Sequence, residues 1–175
     1  MPWELSFLDF IQENLRCGFL DVFMPALTRL GDGGVFWIVL SLALLLFPKT
    51  RRTGAIVTMA LLLEFLCCNL LLKPLVARIR PYDVNPSVVL LVQRLADYSF
   101  PSGHTGVAFA VTSGLYYSKS PLWSPAAVLS IVMAFSRLYL YVHYPTDVLA
   151  GVLLGIMAGW AGSRAVRFLE SRREP

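Results

Sequence analysis

Two histidines occur in 175 residues, and each stands where an apolar helix is about to begin. His104 lies in YSFPSGHTGVAFAV, directly behind Pro101 and Ser102. Those are helix-start residues, with Ser102 placed as an N-cap, so the first free N–H groups face outward and suit an anion. Taken alone, the stretch equally describes a capped helix with a packed histidine. His143 lies in AFSRLYLYVHYPTDVLAG, where Pro145 fits the first turn of a helix and Asp147 falls inside that turn. A carboxylate there can accept the proton of one imidazole nitrogen and leave the other with a lone pair, which is how a nucleophile is prepared. Asp147 alone would be a favourable charge at a helix N-terminus.

A third group sits in LLLKPLVARIRPYD. Lys73 closes an apolar segment, and Arg80 is biased away from helical geometry by Pro81. Arg78, two residues earlier, is expected to face elsewhere and, with Arg94, to meet lipid headgroups. Each of these cations has an ordinary reading as a residue reaching from a helix end to the headgroups. Together, Lys73, Arg80 and Arg137, two imidazoles, the Ser102 hydroxyl, a helix N-terminus and the Asp147 carboxylate describe a site for a phosphoryl group. Charge on a transferring phosphoryl group is stabilised mainly by pre-positioned cations and N–H donors.

The elements that must bring these groups together are membrane helices. With 57% hydrophobic and 15% charged residues, the chain falls outside the composition of soluble domains and reads as one membrane domain over 1–175. Apolar segments lie at roughly 33–48, 54–73, 103–119, 122–141 and 147–165, each near the length that crosses a bilayer as a helix. The fold class is therefore an all-α integral membrane protein, a bundle of five to six transmembrane helices. Residues 1–30 form an amphipathic, interfacial start: Trp3, Phe7, Phe10, Ile11 and Leu15 recur at helical spacing opposite Glu4, Asp9 and Glu13. The acids and arginines of this start leave no apolar core for a cleavable signal peptide.

With five crossings, Lys49, Arg51, Arg52, Lys119, Arg164, Arg167, Arg172 and Arg173 share one side, which the positive-inside rule makes cytoplasmic, with residues 166–175 a cytoplasmic tail and ESRREP frayed. The three chemical clusters then share the extracytoplasmic side. The net charge of +4 encodes orientation rather than nucleic-acid binding. Cys17, Cys67 and Cys68 lack zinc or redox spacing and are expected as free, buried thiols. In the long connection RPYDVNPSVVLLVQRLADYSFPS, VVLLV is too short to span and predicts a short helix over the site. Asp83 and Asp97 are expected as loop and turn residues. Too few acids lie near the clusters for a hard-cation site, so no metal is expected. Glu64, deep in the second span, calls for a structural partner such as a hydroxyl or Asn69. Gly151, Gly155 and Gly159 give one smooth helix face for close packing. Tyr82, Tyr98, Tyr139, Tyr141 and Tyr144 read chiefly as interface aromatics.

These residues resemble the signature of the type 2 phosphatidic acid phosphatase superfamily, which also includes bacterial undecaprenyl diphosphate phosphatases and vanadium haloperoxidases. The family pattern is matched by Lys73 with Arg80-Pro81, by Pro101-Ser102-Gly103-His104, and by Ser136-Arg137 with His143 and Asp147. The resemblance implies that His143 attacks phosphorus to form a phosphohistidine, that Asp147 orients it, and that His104 protonates the departing oxygen. Lys73, Arg80, Ser102, the Gly103 backbone N–H and Arg137 would hold the phosphoryl oxygens, without a metal or other cofactor. The implied substrate is a membrane lipid phosphate, first of all undecaprenyl (polyprenyl) diphosphate, with phosphatidylglycerophosphate or phosphatidate as the alternative. A reading from another class is a non-catalytic lipid-phosphate binder, which would not need His143 beside Asp147. Many family members have six spans, so five spans plus an amphipathic start depart from the pattern.

Overall fold

The computed structural model describes residues 2–172, and every regular element among them is helical. The elements are α1 (Pro2–Asn14), α2 (Gly18–Arg29), α3 (Val35–Leu46), α4 (Arg51–Phe65), α5 (Lys73–Val76), α6 (Pro81–Val84), α7 (Gly103–Tyr117), α8 (Trp123–Tyr139) and α9 (Pro145–Ser171). A short 3-10 turn, Asp32–Gly34, leads into α3, and a π-helical stretch, Leu66–Leu72, joins α4 to α5. The turn needs its glycines, since Gly33 and Gly34 both take left-handed backbone angles, φ 59° and 68°. The widened π turns precede Pro74, which has no N–H and whose ring would press on the carbonyl one α-turn back.

α7 runs through the middle of the bundle. Its contact with α9 is made by glycine: a Cβ on Gly151 would come within 2.7 Å of the Ser102 carbonyl oxygen, and one on Gly155 within 2.5 Å of that of Gly106. Gly159 lies against Ser113 in the same way. The smooth face expected of these glycines thus lets the two backbones meet within the chain. Hydroxyls tie other pairs, buried Thr112 to buried Ser130 at 2.8 Å between α7 and α8, and buried Ser41 to exposed Thr58 at 2.6 Å between α3 and α4. α1 and α2 close the bundle against α8, burying Leu8, Ile11, Met24 and Leu27 beside Met133, Tyr139 and Leu140.

Among the described residues, two helical runs are long and apolar enough to cross a membrane, Arg51–Val84 and Pro145–Ser171. The pair Gly18–Arg29 and Asp32–Leu46, bent by 45°, makes a third if it counts as one span. α7 and α8 have 15 and 17 residues, below and at the short end of the length that crosses a bilayer. α9 continues to Ser171, past the tail boundary expected at 166, and Glu170 pairs with Arg52 at 3.0 Å. The rest of the expected frayed tail, with Arg173, lies outside the described residues.

Three expectations are corrected. Glu4 does not lie on a solvated polar face of the amphipathic start but is fully buried with Leu8 and Ile11, while Trp3, Phe7, Phe10 and Leu15 are exposed. An outward aromatic face suits a lipid surroundings, and the buried carboxylate has a cation partner. VVLLV is not helical; the short helix is α6, which Asn85-Pro86 ends, and Leu90, Leu91 and Val92 pack on the core as irregular chain. Of the three free cysteines only Cys68 is fully buried, and Cys17, at the α1–α2 junction, is exposed.

Candidate active site

α4 with its π extension, the start of α7 and the loop between α8 and α9 converge on one cavity of ≈ 480 Å³. Lys73, Arg80, Asp97, Gly103, His104 and His143 line its polar end. Arg80 holds the centre. Its backbone is extended, φ −74° and ψ 152°, as the following proline requires. Nη1 donates to the Val142 carbonyl at 2.8 Å, and Nε and Nη2 donate to the backbone and carboxylate of Asp97 at 2.9 and 2.6 Å. Nη1 also lies 3.3 Å from Nε2 of His143. A guanidinium has no acceptor, so this contact is a hydrogen bond only when Nε2 carries the lone pair and Nδ1 the proton. The free electron pair of His143 therefore points at the cations.

On the other side of the ring, Nδ1 stands 3.6 Å from Oδ2 of Asp147 and has no hydrogen-bond partner. The expected His143–Asp147 hydrogen bond is therefore just too long to form, and the carboxylate faces the Nδ1 side of the imidazole without an ion pair. The Asp147 carboxylate is held by others: Ser99 Oγ donates at 2.5 Å, the Tyr144 N–H at 2.9 Å and Arg78 Nη1 at 2.5 Å. Burial drives the His143 imidazole down to about 3; Asp147 opposes this, and Arg80 and Arg137 add to it. His143 is thus neutral over the ordinary working range. Since the unfolded imidazole takes a proton near 6.5 and the folded one only near 3, the folded state loses stability as pH falls through that window. Melting in detergent should shift downward between pH 6.5 and pH 3, and His143→Gln should flatten that part of the slope.

Arg137 lies behind the cavity wall, 2% exposed. It donates to the Thr28 hydroxyl of α2 through Nη1, and its Nε is unpartnered. Ser102 occupies the N-cap position of α7 but makes no capping bond; its hydroxyl pairs with Thr105 Oγ1 at 3.0 Å. Its backbone N–H donates to the Asp147 carbonyl at 3.1 Å, locking the start of α7 to the first turn of α9. His104 Nε2 meets Asp32 Oδ1 at 3.0 Å.

Two residues given ordinary surface roles by sequence are part of this site. Asp97 bridges Lys73 and Arg80 rather than simply shaping a turn. Burial raises its carboxyl, but the two cations outweigh burial and bring it to about 2. Arg78 does not reach for headgroups: besides Asp147 it donates to Glu4 at 2.6 Å and Thr146 at 2.7 Å, with its guanidinium 3.8 Å from the Tyr144 ring centre. Arg94 does face outward, pairing with Asp83 at 2.9 Å. Glu64 finds neither a hydroxyl nor Asn69; both its oxygens lack hydrogen bonds, and it fits against Gly106, where no Cβ stands in the way. Sequence reading also missed Asp32 and Glu4. Asp32 had one local signal, its place in GDGG immediately before an apolar run.

Residues 52–170 match the PAP2 superfamily, and the chain belongs to that family. It is 35% identical over 124 residues to an undecaprenyl-diphosphatase of Sulfolobus acidocaldarius, a match covering 68% of this chain and 58% of that protein. It is 31% identical over 161 residues to a lipid A 4'-phosphatase of Bacteroides thetaiotaomicron, covering 84% and 70%. Among solved structures, Aquifex aeolicus LpxE superposes with a TM-score of 0.80 at 29% identity over 93% of this chain and 95% of that one. The PAP2 type phosphatidylglycerolphosphate phosphatase of Bacillus subtilis has the same fold, with a TM-score of 0.76 at 24% identity over 98% and 86%. The two sequence relatives and the Bacillus subtilis protein are phosphatases by name, and the fold shared with the solved structures is all-helical.

Proposed function

We propose that the chain is a membrane lipid phosphatase in which His143 Nε2 attacks phosphorus. The observation that carries this reading is the single cavity in which the polar cluster and an apolar channel meet. From Lys73 and Arg80 the cavity continues between α3 and α4, lined by Ile38, Leu42, Leu61, Leu62 and Phe65 as far as Thr58. That is about 20 Å along the helix, room for a lipid tail while its phosphate lies against the cations. Lys73, Arg80, Arg137, Ser102 and the Gly103 N–H hold the phosphoryl oxygens, Asp147 orients the nucleophile, and His104 serves the departing oxygen. The reaction passes through a phosphohistidine that water hydrolyses, without a metal ion.

Polyprenyl diphosphate is the first substrate, undecaprenyl diphosphate by likeness to the Sulfolobus relative. Its leaving group is already a stable anion. Phosphatidylglycerophosphate or phosphatidate is the alternative, and uses the same groups. A bundle crossing the membrane five to six times, with the site outward and the C-terminus cytoplasmic, is supported by where the cations gather. The Arg52–Glu170 pair and the bond from Arg167 to the Tyr117 carbonyl join the starts and ends of α4, α7 and α9 at the end away from the cavity's polar mouth.

Purified full-length chain in detergent with EDTA, given polyprenyl diphosphate, phosphatidate and phosphatidylglycerophosphate, should release inorganic phosphate, with the highest kcat/KM on the diphosphate. Folded protein that binds these lipids but releases phosphate from none would overturn the reading in favour of a lipid-phosphate binder.

A further inference from the structure

His104, like Arg137 with Thr28, takes its partner from the N-terminal part of the chain. The Asp32–Gly34 turn lies over it, fixed by the Gly31 N–H on the Thr28 carbonyl at 2.9 Å and the Gly34 N–H on that of Gly31 at 3.0 Å. Gly31 packs flat on the imidazole: a Cβ there would fall 2.5 Å from Cδ2. Gly31, Gly33 and Gly34 line the cavity beside the ring, and Asp32 reaches Nε2 at 3.0 Å. The turn therefore fixes both the plane of the ring and which of its nitrogens is engaged.

We infer that Asp32 is the positioning residue for His104, accepting Nε2–H so that Nδ1 deals with the reacting oxygen. The inference rests on the proposed role of His104 and deepens it. Arg80 and Arg137 already place fixed positive charge in the site, so a positive imidazolium at His104 requires a carboxylate against it. As the bond from His143 Nε2 to phosphorus forms and the P–O bond to the lipid breaks, Nδ1–H gives its proton to the departing oxygen. The bare Nδ1 then takes a proton from the water that attacks the phosphohistidine, which returns His104 to its starting state. A proton donor of this kind matters when the departing oxygen is a basic alkoxide and matters little when it is a stabilised anion. The Asp32–His104 pair thus equips the chain for lipid phosphate monoesters, beyond the diphosphate.

The test compares dioctanoyl phosphatidate, with an alkoxide leaving group, and p-nitrophenyl phosphate, with a stabilised one, on full-length protein in detergent. Asp32→Asn should lower kcat on phosphatidate roughly tenfold to hundredfold and on p-nitrophenyl phosphate by less than about threefold, with KM nearly unchanged. Asp32→Glu should recover most of the loss. Adding Asp32→Asn to His104→Gln should cost nothing further, because the carboxylate acts through the ring. Equal losses on the two substrates, or an additive double variant, would sink the role of Asp32. If His104→Gln itself fails to distinguish the substrates, the proposed role of His104 falls, and with it this inference.

Discussion

Replacing His143 by alanine should lower kcat on every lipid phosphate by about 10⁴-fold or more, the scale set by removing a nucleophile from a coupled catalytic group. Nε2 faces Arg80 at 3.3 Å, at the mouth of the cavity where Lys73 and Arg80 gather. Of the oxygen groups lining that cavity, the Asp97 carboxylate is paired with Lys73 and Arg80, and the hydroxyls of Ser41 and Thr58 bond to each other at 2.6 Å in the apolar channel and cannot take over. Their place in the fold is structural. Brief mixing of radiolabelled substrate with the wild type, then alkaline quench, should trap a phosphoprotein that is stable to alkali and labile to acid. His143→Ala should trap none, while His104→Gln should accumulate label, since its defect includes the hydrolysis step. A phosphoprotein of undiminished yield in His143→Ala would mean that another residue attacks phosphorus.

Why some of this was legible in sequence and some was not follows from the range of each interaction. The apolar run starting at Gly103 became α7, ending at Tyr117, because local hydropathy and the Pro-Ser start both act within a turn or two. The extended geometry of Arg80 came from its proline neighbour in the same way. Arg78 departs from its expected direction because the helix in which residues two apart diverge does not continue to it. α5 stops at Val76, and Ala77 takes a left-handed conformation, φ 47°, so the direction of Arg78 is set by the loop and not by helical phase. Glu4 and Asp32 contact residues 142 and 72 positions away, and no local pattern encodes a partner so remote. Asp97 looked like a turn residue because it is one; that the turn lies between two cations is a property of the bundle.

Arg78→Ala is expected to destabilise the protein by about 3–5 kcal/mol, the usual result of removing one partner from a buried ion pair, and to lower kcat roughly hundredfold. The guanidinium spans two carboxylates, Glu4 at 2.6 Å and Asp147 at 2.5 Å, both with fully buried side chains. Without it, two buried negative charges face each other across the space it filled. Asp147 keeps Ser99 and the Tyr144 N–H, so its position is weakened rather than lost; the activity of Arg78→Ala should therefore exceed that of Asp147→Ala. Arg78→Lys should be intermediate, because an ammonium can satisfy one carboxylate but lacks the planar fork that reaches both. Adding Glu4→Gln to Arg78→Ala separates the two effects: it removes the stranded carboxylate on α1 and should restore part of the melting temperature, yet it leaves Asp147 no better held and should not restore kcat. Thermal melting and turnover measured on the four proteins of that cycle decide the matter. A cost below about 1 kcal/mol for Arg78→Ala, within the range of exposed pairs, would return Arg78 to the membrane surface and detach α1 from the site.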